Sequence, residues 1–402
     1  MAPSIARTPA GLAEGLAEAE VIAPVGYGRG LPVLLPRGVA IMRRLVEAFK
    51  SELAVDDASL WEPELFVDAD RYDCEVAAFG GFDNVYRLQL AGRRVVARPD
   101  AALDGARRAL ASRSGDALAV YHGQRRLQGA MPPLYRDSAI WPLIQLSRVV
   151  RADGARERIA TTLEGLVRLF TSLALSVRVV RNGPWKAYAR ERYDVVLAGA
   201  QVRPTILAML YVMGSAYREQ LQIDGFEAFD VGVSEKVVAA SWLCAHDSVR
   251  WTLPSRLAPH AVVVGSDEAD AIARLGPVSA RIALVPRIGK AWWRRPWRRG
   301  TPVLVEVRAG RVRTLVGTAP WRALGVGDET LDDLVAASDT ALLDRARALG
   351  PRGRDPRFSA FCDTCAQALA LSAPVVPDVF GPCERCRQPG RERFVSERAQ
   401  VY

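Results

Sequence analysis

Two closely spaced pairs of cysteines near the C-terminus constrain the fold more than any other feature. They read Cys362-x2-Cys365 and, seventeen residues later, Cys383-x2-Cys386. Two such pairs form knuckles that bring four thiolates to one Zn²⁺ in a tetrahedral arrangement. The alternative, two disulfides, is disfavoured in a reducing cytoplasm. We predict a structural zinc, because four thiolates leave no open coordination position for catalysis.

Length and charge bound the class of protein. With 402 residues the chain is too long for one core, so two or three domains are expected. A net charge of +9 permits a polyanionic partner without requiring one. Met1 to Glu20 lack the pattern of a signal peptide, and the longest apolar stretch, Ile206 to Tyr217, is too short to span a bilayer. We expect a cytoplasmic protein with no membrane partner.

Helical and strand patterns mix in residues 25–257 and change character after Pro254 and Pro259. The first block has an amphipathic helix, a hairpin turned at Ala91-Gly92 and a second apolar helix. These three elements are Met42 to Leu53, Val85 to Leu90 with Arg94 to Ala97, and Leu163 to Val177.

The second block alternates strands and helices, which predicts a small α/β domain. Its predicted elements are a strand at Ala261 to Val264, a helix at Asp267 to Leu275, strands at Ile282 to Val285, Pro302 to Arg308 and Val312 to Val316, and a helix at Leu331 to Leu349. The predicted division is therefore residues 1–24 as an extension, then 25–257, 258–350 and 351–402 as three domains.

Several separated motifs follow one another in a recognisable order. They are Gly30-Leu-Pro-Val-Leu-Leu-Pro36-Arg-Gly38, Arg98-Pro99, Val149-Val-Arg151-Ala-Asp153, Gly232-Val-Ser-Glu-Lys236, Leu253-Pro-Ser-Arg-Leu-Ala-Pro259, Gly289-Lys290 and Gly300-Thr-Pro302. In this order, and with the C-terminal cysteines, they resemble the archaeal and eukaryotic type of prolyl-tRNA synthetase, a class II aminoacyl-tRNA synthetase. The resemblance covers roughly residues 25–402.

The resemblance implies an α+β fold. A class II synthetase-like antiparallel sheet with helices would be followed by an α/β anticodon-binding-like domain and the zinc module. The first motif implies a homodimer. The implied ligands are an amino acid, tRNA or aminoacyl-tRNA, and ATP with Mg²⁺.

One departure from the family lies where its Arg-Pro-Thr-Ser-Glu motif holds the substrate nitrogen. Asp100, Ala101 and Ala102 replace the last three residues, beside a retained Arg98. Asp100 either supplies the lost anion to an ammonium group or caps a helix that begins at Ala101. The sequence leaves both open.

The ATP side departs further. Arg151 and Asp153 stand for the Arg and Glu of the second motif, but Gly154 to Arg158 leave little room for the loop and returning strand that follow in the family. Lys236 replaces an arginine at the γ-phosphate, and a lysine lacks the planar two-pronged grip. Thr205 to Met213 replace polar substrate contacts with an apolar run, which favours core packing. We therefore expect a paralogue rather than a prolyl-tRNA synthetase of translation.

A basic, tryptophan-rich stretch is the candidate tRNA-binding segment. Arginine neutralises phosphates and tryptophan offers a face to an unstacked base. Its candidate residues are Arg287, Lys290, Trp292, Trp293, Arg294, Arg295, Trp297, Arg298 and Arg299. The alternative is that the tryptophans anchor a loop to the core while the arginines are solvated.

Two functions remain open. The first is a ligase or transferase of specialised metabolism. It would either activate an amino acid or take the aminoacyl group from aminoacyl-tRNA, and would pass that group to a small molecule or carrier protein. Arg98, Arg151 and Lys236 would then line the anion side, Asp100 would hold the ammonium, and Asp153 would position a hydroxyl or amine. The second is a non-catalytic paralogue that binds tRNA or a partner synthetase.

Overall fold

A computed structural model gives the fold of most of the chain. It describes residues 9–24, 33–79, 85–124, 140–182, 188–197, 206–234, 236–245, 251–268, 271, 275, 279–286, 291–308, 311–317, 319–324, 330–348, 358–361, 373–374, 380–382 and 389–394.

These residues form both helices and strands. The helices are α1 (Pro9–Glu18), α2 (Pro36–Leu53), α3 (Ala69–Phe79), α4 (Ala102–Ala111), α5 (Ala155–Ser172), α6 (Ser215–Leu221), α7 (Lys236–Ala245), α8 (Arg294–Arg298) and α9 (Leu331–Ala348). The strands are β1 (Leu60–Trp61), β2 (Phe66–Asp68), β3 (Arg87–Leu90), β4 (Arg93–Ala97), β5 (Asp116–Gln124), β6 (Ile140–Arg151), β7 (Val177–Asn182), β8 (Ala189–Leu197), β9 (Ile206–Met213), β10 (Phe226–Ser234), β11 (Val262–Gly265), β12 (Ile282–Val285), β13 (Val303–Arg308), β14 (Arg311–Val316), β15 (Arg322–Ala323), β16 (Phe358–Phe361), β17 (Ala373–Pro374), β18 (Phe380–Pro382) and β19 (Pro389–Phe394).

The main sheet has eight strands in the order β1-β5-β6-β10-β9-β8-β7-β17. Every neighbouring pair is antiparallel except β1 with β5, which is parallel. The sheet is therefore mixed, whereas the sequence predicted an antiparallel sheet. Strand β17 comes from the C-terminal part of the chain, which therefore joins the main sheet instead of standing apart from it.

One face of this sheet is covered by α2, α5 and α7 and holds the largest core. In α2 the apolar residues Ile41, Leu45 and Phe49 recur at helical spacing and are fully buried. Pro36 occupies the first turn of α2, where its missing N–H has no helical partner to lose. The predicted helix is confirmed and begins earlier than Met42.

The predicted hairpin is also confirmed, as β3 and β4. Ala91 and Gly92 both have positive φ, 47° and 77°. A two-residue turn of this kind matches the right-handed twist of the flanking strands.

A second sheet, β12-β11-β13-β14-β15, follows Pro259. Its central strands β11 and β13 are parallel and buried, as their valine-rich sequences predict. The strands predicted in this block and the closing helix α9 are confirmed. The helix predicted at Asp267 to Leu275 lies mostly outside the described residues.

The C-terminal part contributes a third sheet in the order β16-β19-β18. Cys362, Cys365, Cys383 and Cys386 lie outside the described residues, so the zinc site stays a prediction. Within the described part of the chain no group of His, Cys, Asp or Glu side chains could hold a metal ion, and no helix is long and apolar enough to cross a membrane.

Candidate functional site

The face of the main sheet opposite α2, α5 and α7 carries a buried polar network. Cross-strand register pairs Ser147 of β6 with Asp230 of β10, which puts their side chains on this face together with Gln145. The Ser147 hydroxyl donates to Asp230 Oδ1 at 2.7 Å, and the Gln145 amide donates to Asp230 Oδ2 at 2.8 Å. Both carboxylate oxygens of Asp230 are therefore hydrogen-bonded in the core of the sheet.

Gln145 connects this network to the segment that precedes α4. Its Oε1 accepts a hydrogen bond from the backbone N–H of Ala101 at 3.0 Å and another from the Tyr121 hydroxyl. Asp100 lies one residue earlier, and its Oδ1 accepts from the N–H of Ala102 at 3.3 Å. The segment before α4 is thus held by two hydrogen bonds. The N-cap residue of α4 is Ala101, without a side-chain cap, so Asp100 lies one residue before the cap.

The electrostatics of this face are dominated by buried negative charge. Burial is the main cause that raises the pKa of Asp230 to about 7; the hydrogen bonds from Ser147 and Gln145 act against it, and the charge of Asp100 acts with it. Burial and then Asp100 also raise the pKa of Tyr121, Tyr188 and Tyr217 well above their usual value. A cation bound near Asp100 would relieve this field.

A small cavity of about 50 Å³ opens beside Asp100. Its wall combines three carboxylates and three tyrosines with one arginine: Glu75, Asp100, Asp104, Tyr72, Tyr188, Tyr217 and Arg98. The Tyr188 ring packs against Tyr211 at 5.9 Å and Tyr217 at 5.8 Å between centroids. Carboxylates and aromatic faces are the groups that bind an ammonium ion.

Arg98 lines this cavity but is fully engaged within the protein. Its Nε donates to the Glu64 carbonyl at 2.7 Å, its Nη2 to the Glu64 carboxylate at 2.9 Å and its Nη1 to Asp104 at 3.0 Å. The expected anion-binding role is therefore replaced by a structural one, in which Arg98 ties β4 to α4.

Arg151 and Asp153 do not reach the cavity. They form an ion pair of 3.5 Å, and their side chains are 77% and 73% exposed. At a rise of about 3.4 Å per residue, Arg151 lies about 14 Å beyond Ser147 along β6. The register therefore separates both residues from the cavity beside Asp100, and their catalytic role stays a prediction.

Lys236 lies at the other end of the sheet. It is the first residue of α7, directly after β10, and Arg151 pairs with Phe226 at the opposite end of that strand. Phe226 and Ser234 are about 27 Å apart along β10. Arg151 and Lys236 therefore cannot line one anion site.

The loop and returning strand of the family, for which the sequence leaves little room after Arg151, do not follow that residue. The chain leaves β6 through a short 3₁₀ turn, Ala152–Gly154, and enters α5 at once. Instead, β5 and β6 form a long antiparallel pair from Asp116 to Gln124, joined by residues 125–139, which lie outside the described residues. Gln124 pairs with Ile140 at the end of the sheet where Ser234 pairs with Leu143.

The apolar run predicted to be core is strand β9, and it is buried. Met209 and Tyr211 face the same side as Asp230 and pack beneath α4 and α6. Asp230, Gln145, Ser147, Tyr188 and Tyr217 were not predicted as site residues. The one available signal was polar residues at alternate positions of otherwise apolar strands.

The tryptophans of the basic stretch pack against the second sheet. Trp292, Trp293 and Trp297 join Trp321 in one cluster over Val263, Leu304 and Leu315. This packing favours the alternative in which the tryptophans anchor a loop to the core, while their role as base-stacking platforms stays a prediction.

The arginines of the basic stretch divide into two groups. Arg294 and Arg298 are exposed. Arg295 and Arg299 instead pair with Glu20. Arg287 and Lys290 lie outside the described residues.

Comparison with protein-family models and with curated proteins gives no match. Comparison with solved structures gives a fold of the class II aminoacyl-tRNA synthetase type. The structure that carries this likeness is a Giardia lamblia prolyl-tRNA synthetase in complex with prolyl-adenylate. It matches over 97% of this chain and 99% of its own with a TM-score of 0.78, and the sequences are 13% identical. At this identity the likeness establishes the fold.

Proposed function

We propose that the chain is a synthetase-like ligase that activates an amino acid with ATP and transfers the aminoacyl group to a non-translational acceptor, such as a small molecule or a carrier protein. The observation that carries the proposal is the acidic, aromatic cavity beside Asp100. In a class II synthetase-like fold, a cavity of this chemistry suits the ammonium group of an amino acid.

The amino acid would bind with its ammonium at Asp100. The charge of Asp100 acts on Tyr188, Tyr217 and Asp230, so a cation in the cavity gains from the carboxylate and from the two aromatic faces. Asp104 and Glu75 contact arginines and would contribute less.

ATP and Mg²⁺ would bind at the end of β5, β6 and β10. Lys236 supplies one cation there. The amino-acid carboxylate would attack the α-phosphorus of ATP and release pyrophosphate, whose charge Lys236 would help to offset. The acceptor would then attack the carbonyl of the aminoacyl adenylate and displace AMP.

The basic stretch supports a non-translational acceptor, because several of the residues predicted to bind tRNA make contacts within the protein instead. Its tryptophans pack on the second sheet and two of its arginines pair with Glu20. Arg294 and Arg298 remain available to tRNA, which stays a candidate partner and a candidate donor of the aminoacyl group.

A non-catalytic paralogue is the second candidate. The observation in its favour is that Arg98, retained from the family's motif, is bound by Glu64 and Asp104 and cannot also grip a substrate anion. Such a protein would bind an amino acid, tRNA or a partner synthetase without activating the amino acid.

A structural zinc at the four C-terminal cysteines is supported by the third sheet. β16 and β18 flank β19 and both run antiparallel to it, and each ends one residue before a cysteine pair, at Phe361 and Pro382. Metal analysis of protein purified without chelator should give one zinc per chain. Absence of zinc there, or full retention in Cys383→Ser, would overturn the site.

We also infer a homodimer formed through residues 30–65. Large apolar side chains are exposed there: Val39 on α2, Leu60 on the edge strand β1, and Leu65. Light scattering should give twice the mass of the chain, and Leu60→Glu should shift the protein to monomer.

Calorimetric titration of each amino acid tests the ammonium site. One amino acid should bind, and Asp100→Asn should weaken it at least tenfold, because the amide keeps the shape but removes the charge. Asp153→Asn is the matched control, since its carboxylate is exposed and far from the cavity. Equal affinities in both variants would contradict the role of Asp100.

A further inference from the structure

A cluster of basic side chains lies between α2 and the second sheet. It has no place in the proposed ligase site, and of its members only Arg299 was predicted from the sequence to bind RNA. Its members are Arg37 and Arg44 of α2, Arg256 and His260 before β11, Arg281 before β12, and Arg299 after α8. We call these six residues the inter-sheet basic cluster.

Helix geometry and direct contacts bring the cluster together. Arg37 and Arg44 are two turns apart, so they share one face of α2 about 10 Å apart. The Arg37 guanidinium donates to the backbone carbonyl of Arg299 across the junction. Arg256 donates to Glu52 near the end of α2 at 3.0 Å. The cluster therefore bridges the two parts of the chain.

The positive charges are close enough to act on one another. Burial and then Arg299 lower the pKa of Arg37 to about 10. Burial, Arg37 and Arg281 lower the pKa of His260. Burial, Arg44 and Arg256 lower the pKa of Arg281. These couplings form one continuous chain of like charges.

Several guanidinium donors in the cluster have no acceptor. The Nε atoms of Arg37, Arg44, Arg281 and Arg299 are buried without a hydrogen-bond partner among the residues that the structure describes. Arg44 has neither a hydrogen bond nor an ion pair in that part of the chain. In the described ranges three acids lie nearby, and each is engaged: Glu20 pairs with Arg299, Glu52 pairs with Arg256, and Asp339 accepts hydrogen bonds from Ser255. Buried donors of this kind are costly unless an acceptor reaches them.

We propose that the inter-sheet basic cluster binds a phosphate group, either a phosphodiester of an RNA backbone or free inorganic phosphate. Four of its guanidinium groups carry a buried Nε–H without an acceptor among the described residues, and the planar donor forks of guanidinium match the oxygens of phosphate. The site does not depend on the proposed ligase function, because Asp100 and Lys236 lie elsewhere on the main sheet. It would stand even if no amino acid were activated.

Thermal unfolding of the full chain tests the proposal with inorganic phosphate against sodium chloride at equal ionic strength. Phosphate should raise the Tm by about 2 °C or more. Arg44→Gln should lose most of this rise, and without phosphate its Tm should equal or exceed that of the wild type, because repulsion is relieved. Arg43→Gln is the matched control, an exposed neighbour on the same helix, and should keep the rise.

A second arm separates the two sources of phosphate. Filter binding of bulk tRNA over a range of salt should show Arg44→Gln reducing the slope of log affinity against log salt by about 1 if the site holds a phosphodiester. Loss of the phosphate-dependent Tm rise alone would assign the site to free phosphate. Arg37→Gln, at the other end of the cluster, should repeat the result. If both variants behave like Arg43→Gln in both arms, the proposal is overturned.

Discussion

Asp230 is deeply buried and accepts two hydrogen bonds, so the pH at which it titrates reports on the electrostatics of the candidate site. It is 5% exposed, and its pKa of about 7 lies above that of an ordinary aspartate. A raised pKa means that the folded protein holds the proton more tightly than the unfolded chain. Its contribution to stability is therefore full at low pH and is lost as the pH rises toward 7.

Asp230→Asn should remove this pH dependence. Between pH 5 and pH 7.5 the wild type should lose on the order of 2–3 kcal/mol more unfolding free energy than the variant does. Urea denaturation of both proteins at the two pH values measures the difference, and the other carboxylates cancel in the comparison. Parallel pH profiles would show that Asp230 titrates normally.

The site residues could not be predicted from the sequence, because strand pairing decides which side chains meet. Gln145, Ser147 and Asp230 each stand in an apolar strand and meet only through the pairing of β6 with β10. Arg151 and Lys236 are charged residues in matching motifs, yet antiparallel pairing sends them to opposite ends of the sheet. Spacing along the chain predicts neither the meeting of the three polar residues nor the separation of the two cations.

At the scale of elements, helix α4 must lie very close to the main sheet to close the cavity. Gly105 allows this approach, because a Cβ at that position would come within 2.2 Å of Ser147 Oγ. Ser147 in turn holds Asp230. The packing of α4 and the polar network are therefore coupled through one missing side chain.

Gly105→Ala should destabilise the protein by about 1–3 kcal/mol, because the added methyl group forces α4 away from β6. Amino-acid affinity should fall with it, since Ser147 and the turn at Asp100 would move. Gly154→Ala is the control, because a Cβ there meets nothing within 4 Å. Thermal melts and calorimetry of the two variants should separate them; similar melting points would argue against close packing at Gly105.

Elements with strong local signals were predictable, whereas those set by tertiary pairing were not. The turn at Ala91-Gly92 and the strand at Ile282 to Val285 follow from turn residues and β-branched runs. The parallel pairing of β1 with β5 and the addition of β17 to the main sheet depend on distant segments. Their short strands carry no periodic pattern.

At the scale of the whole molecule, charge is distributed unevenly across the junction of the two larger sheets. Acidic groups concentrate at the cavity beside Asp100, whereas the inter-sheet basic cluster holds arginines with few acidic neighbours. Glu20 offsets part of that positive charge through Arg295 and Arg299. The inter-sheet basic cluster therefore accounts for part of the net charge of +9.

Glu20→Gln should strengthen phosphate binding at the cluster by about two- to fivefold, since it removes a competing anion. Titration of phosphate followed by the Tm gives the apparent affinity. Glu18→Gln, a change of equal charge on α1, is the matched control. A weaker affinity in Glu20→Gln would mean that Glu20 organises the arginines rather than competing with phosphate.

Amino-acid-dependent exchange of pyrophosphate into ATP is the most direct measurement of the proposed activity. With all twenty amino acids tested separately, exchange should occur with one of them and be lost in both Lys236→Ala and Asp100→Asn. Arg151→Ala should retain exchange, because Arg151 is exposed at the far end of the sheet. Absence of exchange with every amino acid, in protein that still binds one of them by calorimetry, would contradict activation and favour the non-catalytic paralogue.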